Sequence, residues 1–171
     1  GIGAPIDSID VASFVEAANI ADANDWTTAA WPSTDDDKAQ VLDAFLQAGG
    51  DSIEHGTYLD DQSIRLFKSN GAWLIPTLLA GDFVARIASG PDNFFTPAQT
   101  AKALEAGPKM LDMARRAHEG GVKIAFGTDS GVSAHGDNAQ EFALLVRAGL
   151  TPLEAVQAAT DRHFGTKKDY G

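Results

Sequence analysis

The 171-residue sequence contains no cysteine, no long hydrophobic run and few basic residues. The absence of cysteine excludes disulfide bonds, thiolate metal sites and a cysteine nucleophile, so any bound metal must be held by His, Asp, Glu or water. No apolar segment approaches the roughly 20 residues that a membrane-spanning helix requires. These absences predict a soluble protein, cytoplasmic or exported.

The charge balance is acidic, with 13 basic and 24 acidic residues and a formal net charge of -11. A chain of this charge has no electrostatic attraction for phosphate backbones or anionic lipid, so we expect neither a nucleic-acid nor a membrane partner. The hydrophobic content of 44% is ordinary for a globular protein, and we treat residues 1–171 as one domain. The chain begins at Gly1 without an initiator methionine and stops after 167–171 without a terminating element, which predicts a fragment.

Short apolar segments alternate with longer amphipathic ones along the chain. The apolar segments are typical of strands, and they lie at 26–31, 51–55, 72–77 and 122–127. Helix-like spacing predicts helices at about 10–23, 35–48, 61–69, 79–89, 97–119, 138–148 and 152–160. The pair Thr96-Pro97 and the pattern Thr151-Pro152-Leu153-Glu154 are N-terminal capping signals.

This alternation predicts an α/β protein with a parallel sheet. Because a full barrel of eight such units takes about 250 residues, the chain holds about four β/α units of a partial (β/α)8 TIM-type barrel. A doubly wound sheet would give the same alternation, but no glycine-rich phosphate loop follows the first strand.

Polar residues follow three of the predicted strands. His55 ends the second strand, Thr77 ends the third, and Asp129 follows the fourth. In parallel α/β folds the carboxyl ends of the strands converge on the catalytic face, so His55 and Asp129 can reach one ion. Imidazole and carboxylate suit a divalent metal, with zinc the first choice. Such a metal lowers the pKa of a bound water to about 7, and a neighbouring carboxylate can accept the proton.

Structural explanations compete with these assignments. A single histidine after a strand is more often exposed to solvent than bound to metal, and Asp129 before Ser130-Gly131 also suits an Asx-turn. His135 lies in a polar loop at 131–138, over the expected catalytic face. A turn that leads into the next helix explains the acidic and amide residues of this loop but not the histidine.

Several segments together resemble amidohydrolases of the imidazolonepropionase and prolidase-like group. Residues 48–60 (AGGDSIEHGTYLD) resemble their sixth strand, and residues 121–131 (GVKIAFGTDSG) resemble their eighth. The match continues through 134–141 (AHGDNAQE), 148–155 (AGLTPLEA) and 158–160 (AAT). Each motif is modest by itself, whereas the ordered set is specific.

The resemblance implies a metal-dependent hydrolase of amide bonds that acts on dipeptides or related acyl-amino acids. It places His55 and Asp129 as metal ligands, with Asp129 also the catalytic group that transfers a proton. Tyr58 and His135 fall at positions where relatives contact the substrate. The implied cofactor is a divalent metal, and the implied partner is a small amide or dipeptide.

The sequence also departs from the family pattern. The first-strand His-x-His pair and the bridging lysine have no counterpart, and the fifth-strand segment 26–31 (WTTAAW) has Ala30 or Trp31 where relatives carry histidine. Since two ligands do not complete a zinc site, two hypotheses stand. The chain is either a fragment of a hydrolase whose N-terminal half supplies the other ligands, or a degenerate, non-catalytic barrel segment used for binding or assembly. The open edge of a half-barrel sheet predicts self-association.

Overall fold

The structure is a computed structural model that describes residues 35–160. The strand predicted at 26–31 and the helix predicted at about 10–23 lie outside the described residues. None of the helices between Asp35 and Thr160 is long and apolar enough to cross a lipid bilayer.

Within the described residues, three short parallel strands form the central sheet, in the spatial order β1-β2-β3. The strands are β1 (Ser52–Glu54), β2 (Trp73–Ile75) and β3 (Lys123–Ile124). In the register of the sheet, Ile53 lies opposite Leu74, and Leu74 lies opposite Ile124. Parallel neighbours require a crossover between them, and helices supply each crossover here.

Between residues 35 and 160, six helices accompany the sheet, and a 3-10 turn, Asp137–Ala139, precedes the fifth of them. The helices are α1 (Asp35–Gln47), α2 (Asp61–Asn70), α3 (Leu78–Ser89), α4 (Pro97–Glu119), α5 (Gln140–Arg147) and α6 (Pro152–Thr160). The predicted α/β class with parallel strands is therefore confirmed. The predicted bounds of α4 and α6 agree with the structure, and the ends of the other helices differ by at most two residues.

The strands are shorter than predicted. The apolar segments at 51–55, 72–77 and 122–127 each extend past the hydrogen-bonded strand. Two of them end at a residue in the left-handed backbone region, His55 with φ 62° and Thr77 with φ 48°. A left-handed residue turns the chain out of the sheet, so the strand ends there although its apolar character continues.

The core lies between the sheet and the helices. Its centre is formed by large side chains that are almost wholly buried, Leu46, Leu59, Phe67, Leu74, Leu79, Ile124 and Leu145. Each strand contributes one residue to this core, Ile53, Leu74 and Ile124, which lie opposite one another in the sheet. Burial of each such side chain contributes about 1.5–3 kcal/mol to folding.

Helices α3 and α4 pack closely because glycines lie at their contact. A Cβ atom built at Gly81 would lie 2.2 Å from Met110 Sδ, and one at Gly107 would lie 2.6 Å from Ala85 Cβ. A methyl group at Gly107 would force the two helices apart, because it would also lie 3.0 Å from the Gly81 carbonyl oxygen, whereas one at Gly81 would displace the Met110 side chain. The pair forms the long connection between β2 and β3, with Pro108 inside α4 directly after Gly107.

Candidate active site

The carboxyl ends of the three strands lie at the same end of the sheet, which we call the sheet edge of the candidate site. The His55 backbone N–H donates to Ile75 O at 2.9 Å, and the Ala125 N–H donates to Leu74 O at 2.9 Å. These bonds continue the two pairings just past the strand ends. Because β2 lies between β1 and β3, Thr77 lies between the segments that carry His55 and Asp129.

Three residues at this edge have an unusual backbone. His55, Thr77 and Asp129 have φ values of 62°, 48° and 50°, and they are the non-glycine residues with positive φ in the range 35–160. The left-handed region is tolerable for His and Asp but strained for a β-branched Thr, at about 1–3 kcal/mol. Such strain is found at functional sites more often than elsewhere, so these three residues mark the carboxyl end of the sheet as the candidate active site.

Two glycines allow this edge to be tight. At Gly56, with φ 64°, a Cβ atom would lie 2.7 Å from Leu74 Cδ1. At Gly127 it would lie 2.3 Å from Ile75 Cγ2. A larger residue at either position would displace the buried side chains of β2 and the segment that follows the strand.

The imidazole of His55 is held by the Thr77 hydroxyl. His55 Nδ1 and Thr77 Oγ1 are 2.5 Å apart, and Thr77 Oγ1 also donates to Pro76 O at 2.8 Å. Since the hydroxyl has one hydrogen and donates it to Pro76 O, its oxygen accepts a hydrogen bond from the Nδ1–H group of His55. The lone pair of the neutral ring is then on Nε2, in an exposed side chain, which is the form that binds a metal.

The carboxylate of Asp129 is exposed and accepts no hydrogen bond from any residue between 35 and 160. Only its backbone carbonyl is engaged, with Val132 N–H at 3.1 Å. The Asx-turn considered above would need a bond from the backbone to this carboxylate, and within the described residues it does not form. The carboxylate therefore remains available to a metal or a proton.

The residues 35–160 contain no group of three His, Asp or Glu side chains able to hold a metal. The donor chemistry of His55 Nε2 and Asp129 suits a divalent ion, but a catalytic zinc takes three protein ligands and a water. The described residues thus fit one part of a ligand shell. The assignment of these two residues as metal ligands stays a prediction.

Tyr58 contacts helix α4 rather than the other site residues. Its hydroxyl donates to Glu105 Oε1 at 3.0 Å and accepts from Lys102 Nζ at 2.7 Å. The ammonium groups of Lys38 and Lys109 also lie over its ring, at 4.1 and 5.1 Å from the centroid. The hydrogen bond from Tyr58, followed by one from Lys38, lowers the pKa of Glu105 to about 2.

Tyr58 also lines a cavity of about 420 Å³ between α1, α4 and the loop after β1. His55 and Tyr58 have separate hydrogen-bond partners in the structure. The predicted contact between Tyr58 and a substrate stays a prediction, and any such contact must compete with Glu105 and Lys102.

His135 lies in the loop that follows β3. Its Nδ1 is 3.5 Å from Ser130 Oγ, and Ser130 Oγ donates to Asn138 Oδ1 at 2.9 Å. Thr128 Oγ1 donates to the same Asn138 oxygen at 3.3 Å. These bonds tie the loop to the segment that carries Asp129. The His135 side chain is exposed there, and its predicted role as a substrate contact stays a prediction.

Glu141 is a functional candidate that the sequence did not reveal. Its side chain has no exposed surface, and its two oxygens accept from the Leu78 and Leu79 backbone N–H groups at 3.0 and 2.7 Å. Burial raises the pKa of this carboxyl to about 7, against the opposing effect of the two hydrogen bonds. The signal in the sequence is an acidic residue three and four positions before Leu144 and Leu145, on the apolar face of the helix.

The sequence of this chain is similar to one known protein family and to several known proteins. Residues 34–162 match the model of the amidohydrolase family. An uncharacterized protein of Mycobacterium tuberculosis is 38% identical over 120 residues, which are 70% of this chain and 32% of that protein. Ochratoxinase of Aspergillus niger is 34% identical over 125 residues, which are 72% of this chain and 25% of the enzyme.

A solved structure gives the same picture. The crystal structure of a Xaa-Pro dipeptidase with bound methionine in the active site is similar with a TM-score of 0.69 and 45% identity. The similarity covers 72% of this chain and 30% of the dipeptidase chain. The chain thus spans about a third or less of the relatives that it matches, and its parallel β/α units are part of a TIM-type barrel. The family predicted from the sequence is confirmed, and the chain belongs to the amidohydrolase family.

Proposed function

We propose that the chain supplies part of the active site of a metal-dependent hydrolase that cleaves amide bonds. The observation that carries the proposal is the position of His55 and Asp129, which both follow strands at the carboxyl end of the parallel sheet, with His55 Nδ1 hydrogen-bonded to Thr77. This arrangement leaves an imidazole lone pair and an exposed carboxylate at the end of the sheet where barrel enzymes have their active sites.

In this proposal His55 Nε2 and Asp129 would hold a divalent metal, with zinc the first choice, together with ligands from the rest of the protein. Such a metal would supply polarisation of the scissile carbonyl and would lower the pKa of a bound water to about 7. Asp129 accepts the proton of the attacking water and returns it to the leaving nitrogen. Thr77 holds the His55 ring in place through Nδ1, so that its other nitrogen keeps one direction.

The substrate class follows from the named relatives and is also a proposal. One relative is called a Xaa-Pro dipeptidase and another is called ochratoxinase. The similarity covers 30% of the dipeptidase chain and 25% of ochratoxinase. We infer a small substrate with an amide bond, either a dipeptide or an acyl-amino acid. Tyr58 and His135 are the side chains proposed to contact it, from the loops after β1 and β3.

Metal titration tests the proposal. We expect Zn²⁺, added to the chain together with the rest of its barrel and followed by calorimetry, to bind at a site that His55→Ala and Asp129→Asn each weaken at least tenfold. His118→Ala is the matched control, because His118 is near the carboxyl end of α4 and its nearest acidic partner is Glu154, 4.0 Å away. Equal affinity in the wild-type and His55→Ala proteins would contradict the proposal.

A hydrolysis assay gives the second readout. With a series of dipeptides, Asp129→Asn is expected to lower kcat by a factor of about 100 or more, since the variant cannot accept the proton. The fold should be unaffected, because the Asp129 carboxylate has no partner in the described residues and asparagine tolerates the left-handed backbone. Unchanged kcat in Asp129→Asn would remove the catalytic role assigned to this residue.

A degenerate barrel segment that binds or assembles without catalysis is the second candidate. It is favoured by the incomplete ligand set of residues 35–160 and by Ala30 and Trp31 in the segment where relatives carry a histidine. This candidate predicts no zinc binding and no hydrolysis even when the rest of the barrel is present. Binding that depends on His55 would exclude it.

A further inference from the structure

The N-terminus of α3 is capped in an unusual way. Its N-cap residue is Thr77, but the Thr77 side chain makes no capping hydrogen bond and its backbone is left-handed. A threonine at this position normally has an extended backbone and bonds its hydroxyl to the second or third amide of the helix. Here the hydroxyl is bonded to Pro76 O and His55 Nδ1 instead.

The capping bonds come from another helix. Glu141 of α5 accepts from the first two amides of α3, those of Leu78 and Leu79. This carboxylate is fully buried, and burial of a carboxylate costs several kcal/mol unless its oxygens are hydrogen-bonded. Its position is therefore determined by those two amides, which directly follow Thr77 in the chain.

The two capping observations explain each other: Glu141 binds the first amides of α3, and Thr77 binds His55. Of the two amides that the Thr77 hydroxyl would normally cap, that of Leu79 donates to Glu141 at 2.7 Å and that of Ala80 donates to the Thr77 carbonyl at 3.1 Å. The hydroxyl has no reason to turn toward the helix, and it remains available to His55. The strained backbone of Thr77, with φ 48°, persists because the bonds on both sides of it are satisfied in this conformation.

We propose that Glu141 is a positioning residue, which caps α3 in place of Thr77 and thereby leaves the Thr77 hydroxyl to fix the proton of His55 on Nδ1. The inference rests on the proposed function, in which His55 Nε2 is a metal ligand. Without Glu141, the Thr77 hydroxyl turns to the free amides of α3, and the His55 ring loses the acceptor that selects its tautomer.

The tautomer of His55 can be read directly by long-range ¹H–¹⁵N correlation NMR of the full chain at pH 8 without metal. We expect the wild-type imidazole to carry its proton on Nδ1. In Glu141→Ala, and partly in Glu141→Gln, we expect the signals to shift toward the Nε2–H form that prevails in free histidine. Glutamine keeps one acceptor oxygen and the size of the side chain, so it tests the role with less risk to folding.

Two variants of Thr77 complete the series. Thr77→Val removes the hydroxyl while it keeps the capping by Glu141, and it should give the same shift of tautomer. Thr77→Ser retains the hydroxyl and should retain the Nδ1–H form. The matched control is Asp43→Ala, because Asp43 is a buried carboxylate whose one hydrogen-bond donor within the described part of the chain is Ser63 Oγ, at 2.6 Å. It should lower stability and leave the tautomer unchanged.

The outcomes separate this inference from the proposed function. An unchanged tautomer in folded Glu141→Gln and Glu141→Ala, or the same shift in Asp43→Ala, would overturn the positioning role. A shifted tautomer together with zinc affinity that is insensitive to His55→Ala would uphold the positioning role and reject the metal site. If both hold, Glu141→Gln and Thr77→Val should weaken zinc binding by about 10–100-fold, as loss of a partner of a metal ligand does.

Discussion

A single buried carboxyl, that of Glu141, links two helices and sets a pH dependence of stability. Its side chain is wholly buried between α5 and the N-terminus of α3, and burial raises its pKa to about 7. In the unfolded chain the same carboxyl has an ordinary pKa near 4.3. The folded protein therefore retains a proton that the unfolded chain releases at a lower pH.

The raised pKa predicts that the protein loses stability as the pH rises. The carboxyl titrates around pH 4.3 in the unfolded chain and around pH 7 in the folded protein, so well below the first value both states are protonated and well above the second both are ionised. Between these values only the unfolded chain ionises, so the free energy of unfolding should fall by about 3 kcal/mol. Urea denaturation at several pH values should show this fall in the wild-type protein.

Glu141→Gln isolates the contribution of this residue, because glutamine does not titrate. We expect the difference in unfolding free energy between the two proteins to change in favour of the variant as the pH rises from 4.5 to 7. Parallel curves for the two proteins over this range would contradict the assignment.

At the residue scale, the sequence predicted where residues lie in the fold better than it predicted their hydrogen-bond partners. His55 and Asp129 were expected at one sheet edge because they follow strands of a parallel sheet, and the structure places both segments there. The roles of Thr77 and Glu141 were not predictable, since they depend on the direction of side chains from separate helices. Tyr58 is similar, because its partners Glu105 and Lys102 are more than 40 residues away along the chain.

Helix α2 shows what one capping residue does for an element. Asp60 has an extended backbone and its carboxylate accepts from the Gln62 and Ser63 amides, both at 2.8 Å. The same carboxylate and the buried Asp43 lie within hydrogen-bond distance of the Ser63 hydroxyl, at 3.3 and 2.6 Å. The N-terminus of α2 and helix α1 are thus joined through Ser63.

Removal of this cap should destabilise the protein. We expect Asp60→Ala to lower the free energy of unfolding by about 1–2 kcal/mol, because two amides of the first turn lose their acceptor. Asp61→Ala is the matched control, since Asp61 is exposed and its ion pair with Arg116 at 2.9 Å is a surface contact worth less than about 1 kcal/mol. Equal losses in the two variants by urea denaturation would show that the cap contributes nothing beyond the surface charge.

At the element scale the helix ends were the most predictable features. Thr96 is the predicted N-cap of α4 and also forms a capping box with Gln99, and Thr151 forms the predicted capping box with Glu154. These signals are local, so the sequence contains them in full. The strand ends were predicted too long, because the left-handed turns at His55 and Thr77 are imposed by contacts across the sheet edge and not by local propensity.

The sheet has two outer strands, β1 and β3, and within residues 35–160 each of them pairs on one side only. Residues 51 and 55 of the β1 segment hydrogen-bond to the β2 segment, so the backbone groups of Ser52 and Glu54 point to the other side. An outer strand with unpaired backbone groups is a template for a strand from another chain. The net charge of -11 opposes such contact by repulsion between the chains.

We therefore expect self-association that increases with salt, because salt screens the repulsion between chains and not the backbone hydrogen bonds. Light scattering at 0.05 and 0.5 M NaCl should show a higher mean mass at the higher salt concentration. Glu54→Pro removes the outward N–H of β1 and should reduce the effect, whereas Glu54→Ala keeps this N–H and should not. A monomer at both salt concentrations would contradict the prediction.

The glycine contact between α3 and α4 has a consequence for the order of folding. Strands β2 and β3 are neighbours in space, yet the whole α3–α4 pair separates them along the chain. Closing so long a connection from an unstructured chain is entropically unfavourable, while two adjacent helices that pack through Gly81 and Gly107 bring its ends together first. The β1–α2–β2 unit and the α3–α4 hairpin can then form independently, and the arrival of β3 completes the edge that carries Asp129. On this route the chemistry of the site is assembled last.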